Sequence, residues 1–293
     1  MIQLDIISGF LGAGKTTFIH KLLTETGGAG TVLVENEFGD VSIDGDILGG
    51  VEMLELSNGC ICCSLSGSFV DGIAEIAERL QPKRILIEPT GMGNLTDVLA
   101  ACEQVCERVG AEIRSAVTVV SAEALPALLM AGGDFFRRQI KDARYILMSC
   151  TQLLSEEELA ECRAMLEEIN GEVPVCWENW EEISAAAVMA AAEAAYLPLI
   201  GNEERAAMPN LESMSFFPRR FFTKDDGEAL LGTLASMGIW RAKGFLRGED
   251  VFYRAELRPG GGTELTASDY EGVAKFVIIG EKLDRRALRA IFR

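Results

Sequence analysis

Residues 9–16, GFLGAGKT, have the spacing of a loop that wraps around phosphate groups. They fit G-x-x-x-x-G-K-[ST], and they lie between a buried apolar run and an amphipathic helical pattern. Glycines let successive backbone N–H groups point at phosphates, and the start of the following helix adds the positive end of its dipole. We expect Lys15 to reach the β- and γ-phosphates and the Thr16 hydroxyl to bind Mg²⁺, although a glycine-rich turn could match by accident. The expected nucleotide-binding residues of this loop are Gly9, Gly12, Ala13, Gly14, Lys15, Thr16 and Thr17.

Acidic residues elsewhere in the sequence are candidates for binding Mg²⁺ and for orienting water. Glu88 ends the apolar run RILIE, at a strand terminus where ligands of open α/β sheets collect. The alternative for Glu88 is a carboxylate that faces solvent. Residues 34–46, VENEFGDVSIDGD, are either a solvated acidic loop or a switch segment that senses the γ-phosphate and donates carboxylates to a metal. Charge alone favours the solvated loop for Glu35, Glu37, Asp40 and Asp44.

Three cysteines, Cys60, Cys62 and Cys63, lie within the segment SNGCICCSL. A C-x-C-C spacing cannot point all three thiols inward from one strand or helix, and the preceding Ser-Asn-Gly favours a loop. Thiolates this close suit a soft or borderline ion such as Zn²⁺, with a carboxylate or water as fourth ligand. Three protein ligands and one open position would suit metal exchange better than a permanent structural role. Core packing remains open as an alternative, whereas a disulfide at this spacing would be strained.

The elements that must position these residues are predicted by short apolar runs that alternate with helical patterns over the first two thirds of the chain. The runs are typical of buried strands and lie at residues 4–8, 31–35, 84–88, 116–120, 145–149 and 173–177. Helices are predicted at 15–26, 70–80, 94–110, 155–169 and 182–197. Strand and helix alternation indicates an α/β fold, a mostly parallel sheet with helices on both faces.

The pattern changes after a polar stretch at 198–212, which we interpret as a linker between a nucleotide-binding domain at 1–197 and a smaller domain at 213–293. In the smaller domain, strands are predicted at 214–221, 238–248, 251–257 and 274–281. Helices are predicted at 224–237 and 284–292, and residues 258–265, RPGGGTEL, are predicted to form a turn. Strands that mostly follow one another, with two helices, predict a small α+β domain.

Composition and charge restrict the function classes. The formal net charge is −18 over 293 residues, so the surface repels phosphate backbones and anionic membranes, and neither nucleic acid nor a membrane is an expected partner. No apolar run approaches the roughly 20 residues that span a bilayer. The N-terminal residues do not resemble a secretory signal, so we expect a cytoplasmic protein whose eight cysteines are mostly reduced.

The ordered set GFLGAGKTT, ENEFG, GCICC and ILIEPTG, followed much later by RAKGF, resembles the CobW-type GTPases, which are relatives of the UreG and HypB nickel-insertion GTPases. The resemblance covers both halves of the chain and implies a P-loop NTPase fold followed by a CobW C-terminal-like domain. It also implies a nucleotide-dependent metallochaperone or metal-insertase that carries Zn²⁺ or Co²⁺. The implied ligands of the carried metal are Cys60, Cys62 and Cys63, with Glu37 as a fourth ligand.

Two features depart from that family. Many members carry a His-rich metal-collecting loop, but this chain has a single histidine, His20, which we expect on a packed or solvated helix face. The guanine-reading motif N-K-x-D is replaced by the residues 149–152, Ser-Cys-Thr-Gln. Gln152 is neutral and offers one oxygen, and Ser149 is predicted to be too short to replace the bridging asparagine. We therefore expect Ser149 and Gln152 to form a base site that binds GTP and ATP within about tenfold of each other, unless Glu178 or Asn179 reads guanine instead.

The other five cysteines are expected to be structural. Cys102 and Cys106 share a helical face at a spacing of four residues, and two thiols alone seldom hold a metal. We predict that these two pack in the core, and that Cys150, Cys162 and Cys176 lie in the interior.

The leading hypothesis is an NTPase that uses Mg²⁺ and GTP, or ATP, and delivers its metal to a client metalloprotein, with Lys15 and Thr16 at the phosphates and Glu88 or Asp40 orienting the water. A nucleotide-dependent homodimer is a further expectation. The alternative is a nucleotide-gated adaptor for a corrinoid or other metalloprotein with negligible turnover. A small-molecule kinase is disfavoured, because the nucleotide domain carries no Arg-rich lid segment and the three cysteines would have no role.

Overall fold

The computed structural model describes residues 1–35, 52–55, 66–91, 94–131, 133–198 and 211–292. It divides into two compact units, the first built around a parallel sheet and the second containing Pro209–Arg293. The predicted linker at 198–212 lies mostly outside the described residues, and its last two residues, Leu211 and Glu212, begin a strand. The boundaries of the two domains therefore stay a prediction.

The first unit contains a sheet of seven strands whose described pairings are all parallel, in the order β3-β2-β4-β1-β5-β6-β7. Helices follow every strand of this sheet except β2, whose connection to β3 lies outside the described residues, so the α/β prediction is confirmed. The strands are β1 (Gln3–Gly9), β2 (Thr31–Glu35), β3 (Glu52–Glu55), β4 (Arg84–Glu88), β5 (Glu112–Ser121), β6 (Ile146–Ser149) and β7 (Val175–Cys176). The helices are α1 (Lys15–Thr26), α2 (Ser66–Leu80), α3 (Leu95–Val109), α4 (Leu125–Ala131), α5 (Gly133–Lys141), α6 (Glu156–Asn170) and α7 (Ala185–Ala195).

Strand β1 is the middle strand of the sheet, and its side chains are buried on both faces. Leu4 and Ile6 pack with α2 and α3 on one face, whereas Ile7 packs with α1 and α7 on the other. This explains why the strand is a continuous apolar run rather than an alternating one. The loop from β1 to α1 consequently starts at the carboxyl edge of the sheet, where ligands of open α/β sheets collect.

A buried ion cluster ties β1 to both of its neighbours at the opposite edge. Asp5 is fully buried on β1 and accepts hydrogen bonds from Arg84 on β4 and from Arg114 and Ser115 on β5. The shortest Asp5 contact to each arginine measures 2.6 Å. Because an unpaired buried carboxylate is costly, these contacts favour the register in which all three strands meet.

Three elements of the first unit were not predicted from the sequence. Strand β3 follows the acidic stretch that we interpreted as a loop, and α4 and α5 lie between two predicted strands. Helix α4 has only seven residues, too few for a clear helical period. Within the described residues, no helix combines the length and apolar character needed to cross a bilayer.

The second unit contains a five-stranded sheet in the order β11-β10-β9-β12-β8, with antiparallel pairings throughout. Its elements are β8 (Leu211–Phe216), α8 (Lys224–Ser236), β9 (Arg241–Arg247), β10 (Phe252–Leu257), β11 (Thr263–Ser268), β12 (Lys275–Glu281) and α9 (Arg285–Ile291). The α+β prediction is confirmed. The predicted turn at 258–265 was wrong at its end, because residues 263–265 already pair with β10. That strand is largely exposed, so its sequence lacks an apolar run.

Candidate nucleotide site

The loop between β1 and α1 has the backbone that its glycines predict. Gly9, Gly12 and Gly14 have φ angles of +134°, +77° and +103°, a region that other residues rarely adopt. A Cβ at Gly9 would lie 2.2 Å from the Val119 carbonyl oxygen, so only glycine fits against β5. A Cβ at Gly91, beyond the end of β4, would lie 2.6 Å from the backbone nitrogen of Leu11. Strand β5 and the turn after β4 therefore lie closely against this loop, whose backbone is that expected of a phosphate-binding loop.

Lys15 is the first residue of α1, and its side chain is directed back over the loop. The residue is 6% exposed, and its ammonium nitrogen lies 3.4 Å from the Phe10 carbonyl oxygen, to which it donates. The same nitrogen lies 3.8 Å from one carboxylate oxygen of Glu88. A buried cation beside a glycine-rich loop at the start of a helix is an arrangement suited to a polyphosphate.

Thr16 and Glu88 are brought together, as the Mg²⁺ hypothesis requires. The Thr16 hydroxyl donates to the two Glu88 carboxylate oxygens at 3.1 and 3.2 Å. Glu88 is 7% exposed, so the alternative of a solvent-facing carboxylate is excluded. A hydroxyl and a carboxylate that converge beside a phosphate cradle are the oxygen ligands that Mg²⁺ takes when it also binds phosphates.

A second buried carboxylate lies beside Glu88. Glu35 ends β2, it is 3% exposed, and it is directly opposite Glu88 in the parallel register of β2 and β4. The interpretation of a solvated loop was therefore wrong for Glu35, because this residue ends a strand that lies between β3 and β4. Glu37, Asp40 and Asp44 lie outside the described residues.

The opposite end of the site is formed by the residues that follow β6. Ser149 donates a hydrogen bond of 2.6 Å from its hydroxyl to the Ala13 carbonyl oxygen of the phosphate loop. The expectation that serine is too short to bridge was therefore wrong, because β6 ends close to the loop. Cys150 adopts a left-handed conformation with φ of +60°, and exposed Gln152 lies in the 3-10 helix Thr151–Leu153 that follows.

Trp180, in the turn between β7 and α7, belongs to this site and was not predicted. Its indole N–H donates to the Met148 carbonyl oxygen at 2.7 Å. A Cβ at Gly14 would lie 3.0 Å from the indole ring, so the ring lies against the phosphate loop itself. The available signal was its place just after a strand of a parallel sheet, where ligands collect. Asn179, proposed as an alternative base reader, accepts a hydrogen bond from the backbone of Glu181.

The predicted ligands of the carried metal, Cys60, Cys62, Cys63 and Glu37, lie outside the described residues. Among the residues that the structure does describe, no group of three or more His, Cys, Asp or Glu side chains is placed to hold a metal ion. His20 is exposed on α1, as one of the two sequence alternatives expected.

The remaining cysteines divide into buried and partly exposed residues. Cys102 is fully buried in the core and Cys106 packs against the same cluster, so this prediction is confirmed. Burial, with a smaller contribution from the Glu103 carboxylate, raises the pKa of Cys106 to about 11, and burial raises the pKa of Cys102 further. Cys162 is also buried, whereas Cys150 and Cys176 are partly exposed, contrary to the prediction of an interior position.

The chain is similar to curated zinc chaperones and to solved structures of GTPases. Over 135 residues the chain is 38% identical to the zinc chaperone CobW of Sinorhizobium sp., an alignment that covers 43% of this chain and 38% of that protein. It is 33% identical over 186 residues to the zinc chaperone YjiA of Escherichia coli strain K12, covering 59% of this chain and 56% of that protein. The chain thus matches about half of the length of these curated relatives or less. A crystal structure of Zn(II)-bound YjiA GTPase from E. coli covers 99% of this chain at 22% identity, with a TM-score of 0.47.

The model of a protein family matches residues 3–176, which include the phosphate loop, Glu88 and the three clustered cysteines. The description of that family is CobW/HypB/UreG, nucleotide-binding domain. Because the match spans more than half of the sequence, the chain belongs to the CobW/HypB/UreG family.

Proposed function

We propose that this protein is a nucleotide-dependent metallochaperone, which hydrolyses GTP or ATP and delivers Zn²⁺ or Co²⁺ to a client metalloprotein. The observation that carries the proposal is the convergence of Lys15, Thr16 and Glu88 on the glycine-rich loop of a family member. The zinc chaperone names of the curated relatives favour zinc as the carried metal.

The phosphate end of the site would act mainly by positioning and charge. Lys15 would face the β- and γ-oxygens, where its buried ammonium stabilises the charge that develops on the transferred phosphoryl group. Thr16 and Glu88 would hold Mg²⁺, which neutralises phosphate charge when bound. Glu88, or Asp40 of the acidic segment, would orient the attacking water.

The carried metal would bind to Cys60, Cys62 and Cys63, with Glu37 as fourth ligand. These residues follow β2 and β3, the two strands that lie beyond Glu88 at one edge of the sheet. The site and the γ-phosphate would therefore be linked through the acidic segment that follows β2. Triphosphate binding would order this segment around the metal, and hydrolysis would release the metal to the client.

The charge and the cysteines support a proposal for the cellular compartment and the partners of this protein. Free thiolates are needed to hold the metal, so we place the protein in the reducing cytoplasm. A net charge of −18 favours cations over nucleic acid or anionic membranes as partners. A homodimer that forms with bound nucleotide is part of the same proposal.

A phosphate-release assay tests this function. Reduced protein with Mg²⁺ and GTP, or ATP, should release phosphate slowly, and one equivalent of Zn²⁺ or Co²⁺ should change the rate. The Lys15→Ala variant, purified in the same way, is the control, because any phosphate that it releases measures contaminating phosphatases. Nucleotide binding without phosphate release above this blank would instead favour a nucleotide-gated adaptor.

A further inference from the structure

Two contacts join the phosphate loop to the carboxyl end of β6. The first is the hydrogen bond from the Ser149 hydroxyl to the Ala13 carbonyl oxygen, at 2.6 Å. The second runs through Trp180, whose indole N–H donates to the Met148 carbonyl oxygen at 2.7 Å while its ring lies against Gly14. The two contacts involve adjacent residues on both sides, Ala13 and Gly14 in the loop and Met148 and Ser149 in β6.

The Trp180 ring restrains the backbone of Gly14 directly. A Cβ built on Gly14 would be 3.0 and 3.3 Å from two atoms of the six-membered part of the indole, and 3.9 Å from the Cβ of Ser149. The same ring packs on Phe18 in the next turn of α1, with ring centroids 5.8 Å apart and an angle of 59°. Gly14 has a φ of +103° and no side chain to restrict its backbone. The indole ring of Trp180 therefore limits the conformations that the loop can adopt.

We infer that Trp180 is a positioning residue for the nucleotide, one that fixes the distance between the phosphate loop and the 149–152 segment. This inference rests on the proposed nucleotide function. A bound nucleotide would contact Lys15 and Thr16 with its phosphates and the 149–152 segment with its base. If both ends are held in place before binding, less conformational freedom is lost on binding.

Two substitutions separate the parts of this role. Trp180→Phe keeps an aromatic ring near Gly14 but leaves the Met148 carbonyl without its indole donor. Trp180→Leu removes both the donor and the aromatic wall. One neutral hydrogen bond and one ring contact are each worth about threefold to tenfold in the equilibrium between the loop held in its binding conformation and its other conformations. The Kd for Mg²⁺–triphosphate should therefore rise about threefold in Trp180→Phe and at least about tenfold in Trp180→Leu.

The matched control is Trp177→Phe, three residues earlier in the same segment. The Trp177 ring contacts the Arg163 guanidinium at 4.3 Å from its centroid, on α6. This substitution should leave the Kd within twofold of the wild-type value. Thermal unfolding of each variant, measured without nucleotide, shows whether any Kd change follows stability instead.

Two readouts report positioning specifically. In a double-mutant cycle with Ser149→Ala, the Kd effects of Trp180→Phe and Ser149→Ala should be non-additive, because both contacts restrain the same loop. In a Trp177→Phe, Trp240→Phe background, Trp180 is the sole tryptophan, and its emission should shift when Mg²⁺–triphosphate binds. The shift should be absent when Lys15→Ala is added.

The possible failures are distinguishable. If the wild-type protein binds nucleotide but Trp180→Leu leaves the Kd unchanged, the positioning role is overturned and the proposed function stands. The same conclusion follows if the Kd changes of the variants only follow their thermal stability. Absence of nucleotide binding in the wild-type protein would overturn the proposed function, and this inference with it.

Discussion

The hydroxyl of Thr16 lies within 3.2 Å of both carboxylate oxygens of Glu88, although 72 residues separate the two in the sequence. The contact joins the first turn of α1 to the end of β4, one strand away from β1 in the sheet. Lys15 lies 3.8 Å from the same carboxylate. A glycine-rich loop, a buried cation and the two proposed Mg²⁺ ligands thus lie at one edge of the sheet.

The first prediction concerns the cation. Lys15→Ala should lower triphosphate affinity by about a hundredfold, because it removes the charge that faces the β- and γ-oxygens and leaves only backbone amides. Lys21→Ala is the matched control, since Lys21 lies on the same helix in an ion pair with Glu25. Calorimetry with Mg²⁺ measures both variants, and an unchanged affinity in Lys15→Ala would mean that this loop does not bind phosphate.

The second prediction concerns the carried metal. Reduced protein should bind about one Co²⁺ through thiolates and show a sulfur charge-transfer band in the near ultraviolet. Cys62→Ser combined with Cys63→Ser should abolish the band, whereas Cys150→Ser should leave it intact. Binding should weaken as the pH falls, because the thiols must lose their protons. A band that survives in the double variant would place the metal elsewhere.

The third prediction concerns the base. GTP and ATP should compete for a fluorescent triphosphate with affinities within about tenfold of each other, because neutral Gln152 lacks a charged acceptor for the guanine N–H groups. Gln152→Asp should raise the preference for GTP about tenfold. Gln104→Asp, the same change on an exposed face of α3, is the control. A wild-type preference for GTP above about a hundredfold would contradict this prediction.

The fourth prediction concerns alkaline stability. Burial raises the pKa of Cys106 to about 11 from an ordinary value of 9.0, and it raises that of Cys102 as well. These thiols stay neutral in the folded protein at a pH where they ionise in the unfolded chain. The free energy of unfolding should therefore hold below pH 9 and fall as the pH rises from 9 towards 11.

Urea unfolding at pH 7, 9 and 10.5 measures this decline. A Cys102→Ala, Cys106→Ala double variant should be less stable at every pH, because it leaves a cavity, but its stability should fall less steeply above pH 9. Equal slopes in the two proteins would show that these thiols do not titrate differently on folding.

The phosphate end of the site was predictable from the sequence because it depends on local spacing. Glycines, lysine and threonine within eight residues determine the backbone and the start of α1, and Glu88 ends a run of buried apolar residues. The strands and helices around them follow from apolar periodicity for the same reason.

The contacts around the proposed base-binding residues were not predictable, because they depend on which chain segments meet in space. Whether the Ser149 hydroxyl reaches Ala13 depends on the separation of β6 and the phosphate loop, which local sequence does not encode. Trp180 contacts Gly14 across 166 positions of sequence, and nothing in the pattern around it indicates this partner. Strand β11 was missed because its exposed side chains show no apolar pattern.

The rate of metal transfer, measured with and without nucleotide hydrolysis, tests the central proposal most directly. Protein loaded with one Zn²⁺ is mixed with a zinc-responsive dye, and the transfer rate is measured with no nucleotide, with Mg²⁺–GTP and with a non-hydrolysable triphosphate. Only the hydrolysable nucleotide should accelerate transfer in the wild-type protein, and Lys15→Ala should respond to neither. A transfer rate that is the same under all three conditions, in a protein shown to hydrolyse GTP, would contradict the proposal that hydrolysis releases the metal.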